Sequence, residues 1–188
     1  MSKTALLLID VQKGFYDPIW GVRNNPSAED KIALLLSVWR DKGFPVIHIQ
    51  HCSIDENSPL RPEFSGNEFK DEARPLLGEK VFTKTVNSAF IGTELEEYLR
   101  ENSIESLVIT GLTTDHCVST STRMAGNLGF DVILVSDATA TFDRTGADGS
   151  HYSAEQIHNT HLPRLNGEFC TVLTSKEVLS TTASQSHQ

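Results

Sequence analysis

The chain has 188 residues, 38% apolar and 22% charged, a length and balance that suit one globular domain with one core. Its formal net charge of −9, with no basic stripe, argues against a general nucleic-acid binder and against adsorption to anionic membranes. No apolar run approaches the roughly 20 residues of a bilayer span, and Ala5–Ile9 is too short for the apolar region of a signal peptide.

In chain order, Ala5–Ile9 is continuously apolar and reads as a strand buried on both faces, ending at Asp10. Residues 28–42 place Ile32, Leu35, Leu36 and Trp39 at helical spacing, and Gly43 stops that helix. Pro45–Gln50 is a second strand and Lys80–Thr85 a third. Thr93–Glu101 reads as a helix with Thr93 as cap and Glu96 completing a capping box. Ser106–Gly111 is a fourth strand, Cys117–Leu128 a helix ended by Gly129, and Asp131–Ser136 a fifth strand. Ser153–Leu165 is a helix and Phe169–Leu173 a sixth strand.

This alternation predicts an α/β fold: three αβα layers around a Rossmann-like, mostly parallel six-stranded sheet of order 3-2-1-4-5-6. Residues 1–179 form the expected domain, and 180–188 a polar tail. Residues 51–79 break the pattern. They are rich in Pro, Asp, Glu and Ser, with a short helix expected near Phe69–Leu77. A stretch of this length reads equally as a wall or lid of a site or as a passive excursion.

Asp10 ends the first strand, Lys84 lies near the end of the third, and Cys117 follows the fourth across a short turn. All three therefore fall at the carboxyl edge of the sheet, where open parallel sheets hold their ligand crevice. Cys117 also starts a helix, whose free N–H groups and dipole favour a thiolate, and a nearby Lys84 ammonium would lower its pKa further. Cys52 and Cys170 read as packing residues. Three cysteines far apart make a disulfide framework improbable and point to a reducing cytoplasm.

Over residues 3–179 the chain resembles the isochorismatase-like hydrolase family. The matching stretches are ALLLIDVQKGF (5–15), KTVNSAFIGTELEEYL (84–99), residues 108–143 and the closing segment through FCTVLTSKEVL (169–179). The resemblance implies a catalytic triad of Asp10, Lys84 and Cys117. It also implies a cis peptide between Leu112 and Thr113, and an oxyanion hole formed by the Thr113 and Cys117 N–H groups. The implied chemistry is hydrolysis of a C–N bond in a small amide, ureide or carbamoyl compound through a Cys thioester. A homodimer or homotetramer is implied as well.

Metal-bearing members of the family need an Asp-x-His arrangement after the second strand and a further His downstream. The corresponding stretch HIQHCSIDENSPLRPEF lacks the Asp, and His48 and His51 should point to opposite faces. No metal and no cofactor are therefore expected. Phe15, Trp20, Arg23, Phe90 and His116 are the candidates for contacting a small-molecule substrate; His151, His158 and His161 read as surface residues. The rival readings are a vinyl-ether hydrolase acting on isochorismate, a non-enzymatic binding protein on the same fold, and a redox thiol, for which no partner cysteine lies close in sequence.

Overall fold

A computed structural model describes residues 3–184. Six parallel strands form the central sheet: β1 (Lys3–Ile9), β2 (Val46–His51), β3 (Lys80–Lys84), β4 (Ile104–Leu112), β5 (Asp131–Ala140) and β8 (Thr171–Leu173). Between β5 and β8 lies a small antiparallel hairpin, β6 (Arg144–Thr145) and β7 (His151–Tyr152), which the sequence pattern does not signal. The sheet order is β3-β2-β1-β4-β5-β8, the expected order with β8 as its sixth strand.

The helices are α1 (Ala28–Asp41), α2 (Leu95–Glu101), α3 (Ser119–Asn127), α4 (Ala154–Leu165) and α5 (Ser175–Ser184). Strand β1 shows why three layers form. Successive side chains of a strand point to opposite faces. Ala5, Leu7 and Ile9 pack with Leu95 and Leu99 of α2, Ala125 of α3 and Leu165 of α4. Leu6 and Leu8 pack with Ile32, Leu35, Leu36 and Trp39 of α1 and Val178 of α5. Each buried Leu or Ile in this strand contributes roughly 1.5–3 kcal/mol relative to exposure.

Several local readings change. Helix α5 runs through Ser184, so residues 180–184 are helical where a tail is expected, and 185–188 lie outside the described residues. The expected helix within 69–77 is a single 3-10 turn, Asp71–Ala73. Helix α2 starts at Leu95 without a capping box; the Thr93 hydroxyl donates to Ala89 O instead and accepts only a long bond from Leu95 N. Among the described residues no helix is long and apolar enough to cross a membrane.

Strands β2 and β3 lie on one side of β1, and β4, β5 and β8 on the other. The order reverses between β1 and β4, so a crevice opens beyond the carboxyl ends of these two strands. Ile9 pairs there with Gly111. A side chain at 111 would put its Cβ 1.9 Å from the Ile9 carbonyl oxygen, and φ is +119°, so only glycine permits this approach.

Candidate active site

Four strand ends converge on the crevice. Asp10 follows β1 with φ at +51°, a left-handed conformation that Asp tolerates better than most side chains, and its N–H is held by Ile49 O at 3.0 Å. His51 and Lys84 end β2 and β3 as register partners. Beyond β4 the Leu112–Thr113 peptide is cis, and Thr114–Val118 makes a wide π turn leading into α3. Val118 N closes that turn onto Thr113 O at 3.1 Å, which places Cys117 inside the turn.

The Lys84 side chain crosses the end of β2 to reach β1. Its Nζ donates to Asp10 Oδ2 at 2.6 Å and lies 3.0 Å from His51 Nδ1. Both side chains of the Lys84–Asp10 pair are fully buried, so each charge depends on the other for compensation. Asp10 Oδ1 has no hydrogen-bond partner among the described residues, which leaves one carboxylate oxygen able to take a proton. A carboxylate oxygen of Asp10, a ring nitrogen of His51 and Cys117 Sγ all lie within 4.8 Å of one another. Cys117 Sγ is 3.8 Å from Asn87 Oδ1.

Burial pushes the Asp10 carboxyl above its ordinary value, and Lys84 only partly offsets this. Burial also pushes the Cys117 thiol up, reinforced by the Asp10 charge and opposed by Lys84. Burial thus works against the thiolate that the helix start and Lys84 are expected to favour, and Lys84 is itself engaged by Asp10. His51 is held down at about 4 by burial and by the Lys84 charge, so its ring is neutral and Nδ1 accepts from Lys84.

The cavity in front of these groups measures about 340 Å³. Of the residues singled out from sequence, Asp10, Phe15, Trp20, Thr113, His116 and Cys117 line it, and Lys84 supports it from behind Asp10. Arg23 and Phe90 do not. Arg23 is clamped on Glu29 by two bonds of 2.8 and 2.6 Å, and Phe90 packs into the core with its ring 6.1 Å from Phe130. His158, read as a surface residue, is buried beneath the π turn, its Nδ1 2.9 Å from Thr114 Oγ1.

Sequence reasoning missed His51 and Asn87 as lining residues. Both carried a signal: His51 ends a strand beside those of Asp10 and Lys84, and Asn87 lies inside the Lys-x-x-x-Ser-Ala-Phe stretch. The opposite wall comes from the 51–79 segment through Ser53, Asp55, Asn57, Ser58, Pro59 and Leu60. Buried amides pin it. Asn67 Nδ2 donates to His51 O at 2.8 Å and Leu60 O at 2.7 Å, and Gln12 Nε2 bridges His51 O and Asn67 O. Farther out, Lys70 Nζ meets Glu29 Oε1 at 2.5 Å. His48 faces away from the site, its Nε2 2.8 Å from Glu79 Oε2.

Among the described residues, Asp10, His51 and Cys117 are the grouping whose donor atoms could close on a metal ion. Two of its acceptors, Asp10 Oδ2 and His51 Nδ1, already face a cation, the Lys84 ammonium. A metal ion at that point would face a fixed positive charge.

The isochorismatase domain model matches residues 4–177. The isochorismatase family protein YrdC of Bacillus subtilis (strain 168) is 51% identical over 179 residues, 95% of this chain and 96% of that protein. The ureidoacrylate amidohydrolase RutB of Variovorax paradoxus (strain S110) is 34% identical over 173 residues, 73% of this chain and 69% of that protein. The crystal structure of an isochorismatase-family hydrolase from Chromobacterium violaceum ATCC 12472 superimposes with a TM-score of 0.94 at 47% identity, covering 97% of this chain and 94% of that one. A sheet-edge crevice of this construction, a domain match over nearly the whole length and half the residues shared with YrdC have one reading: the chain belongs to the isochorismatase family of hydrolases.

Proposed function

We propose that this hydrolase cleaves a C–N bond in a small amide, ureide or carbamoyl compound, with Cys117 as nucleophile, Asp10 as proton carrier and Lys84 as the charge that positions and balances Asp10. The observation that carries the reading is the cavity-facing thiol within 4.8 Å of a buried carboxylate that keeps one oxygen unpartnered and the other bonded to a buried ammonium.

Asp10 takes the proton of the Cys117 thiol as Sγ bonds to the carbonyl carbon. A carboxyl raised by burial is a stronger base than an exposed one, which suits it to a thiol whose pKa burial also raises. The Thr113 and Cys117 N–H groups hold the oxyanion. As the tetrahedral intermediate collapses, Asp10 gives its proton to the leaving nitrogen, the C–N bond breaks and a thioester remains. Asp10 then takes a proton from water, hydroxide adds to the thioester, and the second collapse releases the acid. The proton returns to sulfur.

A panel of small amides, ureides and carbamoyl compounds, followed by ammonia or amine release, tests this. The Cys117→Ser protein should lose about 1,000-fold or more in rate, the scale seen when a nucleophile is removed. A Cys117→Ser protein as fast as wild type would end the proposal. Pyruvate release from isochorismate, measured in parallel, reads the vinyl-ether alternative.

A further inference from the structure

The charge lining the cavity speaks to what the rest of the substrate carries. Among the described residues, no lysine or arginine lines it. The cations around it are engaged: Lys84 by Asp10, Arg23 by Glu29, and Arg144 by Asp115 at 2.8 Å. The two histidines of the wall supply no positive charge near neutral pH. Burial lowers His51, and burial lowers His116 against the opposing pull of Asp115.

Negative charge is present at the mouth. Asp55 lines the cavity, held in place as its Oδ1 accepts the Asn57 N–H at 3.0 Å. Arg61, whose guanidinium feels the Asp55 charge, is bonded to Glu63 at 3.0 Å. An adjoining groove of about 680 Å³ shares Ile19, Asn57 and Pro59 with the cavity and adds Asp17 and Glu63. Its lysine, Lys13, is paired with Glu68 at 2.6 Å. The inner wall carries the Phe15 and Trp20 rings, 5.2 Å apart, and the Trp20 N–H is spent on Gly14 O.

We infer that the cavity selects uncharged or cationic acyl compounds and rejects those bearing a carboxylate, with Asp55 as the specificity-determining residue. The inference rests on the Cys117 hydrolase reading and narrows its substrate class. A carboxylate brought in would leave water without gaining a cation and would meet Asp55. An ammonium would gain Asp55 and the aromatic faces. An uncharged group loses little either way. The same charge pattern disfavours isochorismate, a dicarboxylate.

Alkylation of Cys117 tests this without a known substrate. Second-order rates with iodoacetamide and iodoacetate, nearly isosteric but neutral and anionic, are read by peptide mass mapping. 2-Mercaptoethanol under the same conditions corrects for intrinsic reagent reactivity, and added salt screens the protein's net charge. The amide/acetate ratio at Cys117 should exceed that of the small thiol by about tenfold, the effect of one nearby charge in a partly desolvated site. Asp55→Asn should shrink the excess, and Asp55→Lys should abolish or invert it. Equal ratios at Cys117 and the small thiol, or faster iodoacetate at Cys117, would overturn the selectivity. An unchanged ratio in both Asp55 variants would remove Asp55 from it. Because alkylation needs no turnover, these outcomes are separate from the amide panel, where full activity of Cys117→Ser overturns the hydrolase reading itself.

Discussion

The two sides of the cavity are built by different physics. One side is the sheet edge, where Asp10, His51 and Lys84 stand at the ends of three adjacent parallel strands and regular pairing fixes their positions. The other side is the 51–79 segment, which holds no regular helix or strand beyond the end of β2 and is fixed by individual side chains: Asn67 and Gln12 near the site, Lys70 on Glu29 farther out. On the proposed reading the sheet edge sets the chemistry, because its titratable groups lie within reach of one another. The far wall then sets what fits, because Ser53, Asp55, Asn57 and Leu60 line the cavity opposite them. Damage to the two sides should therefore look different.

The largest effect is expected at the edge. Lys84→Met leaves the Asp10 carboxylate buried without its cation, at a cost of about 3–5 kcal/mol. Urea unfolding should show this loss, and amide turnover should fall at least 100-fold. Adding Asp10→Asn should restore much of the stability but none of the activity, which separates the structural from the chemical role of the pair. Next comes the outer anchor of the wall. Glu29→Ala strands both Lys70 and Arg23, and about 3 kcal/mol or more of stability should go, while the rate per folded molecule changes only a few-fold.

A smaller loss is expected for Asn67→Ala, which removes the donor to His51 O and Leu60 O and the acceptor for Gln50. It should cost about 1–3 kcal/mol and raise KM more than it lowers kcat, because it loosens the wall and leaves Asp10, Lys84 and Cys117 in place. The last effect is absent at neutral pH and appears only on acidification, in the pH dependence of stability. His51 is held down at about 4 from an ordinary value of 6.5, so the unfolded chain binds its proton more readily than the folded one. Its contribution is complete above pH 6.5 and lost as pH falls towards about 4. Thermal melting of His51→Gln should show a flatter profile over that interval.

The same contrast explains what the sequence revealed. Sheet order, the two-sided burial of β1 and the convergence of Asp10, Lys84 and Cys117 follow from apolar runs and from where each run ends. Long-range side-chain pairing leaves no such trace. Arg23 lies on a loop at the right edge, and nothing in its neighbours shows that Glu29 captures it. Phe90 sits in a motif that reaches the cavity, but the residue that enters is Asn87, while the Phe90 ring joins the core. His158 has an exposed-looking helical context, yet it packs under the π turn against Thr114. Burial raises the Cys117 thiol, against the lowering expected from Lys84 and helix position, because desolvation depends on packing, which charge and helix position do not encode.

Sampling a single turnover of the best amide in the panel, quenched in acid after the amine has left and before the acid product forms, gives the most direct test of a Cys117 thioester. The account predicts the mass of the acyl group on the peptide that contains Cys117. An acyl group on any other residue, or a bare Cys117 at the moment when amine has been released and acid has not, would contradict it.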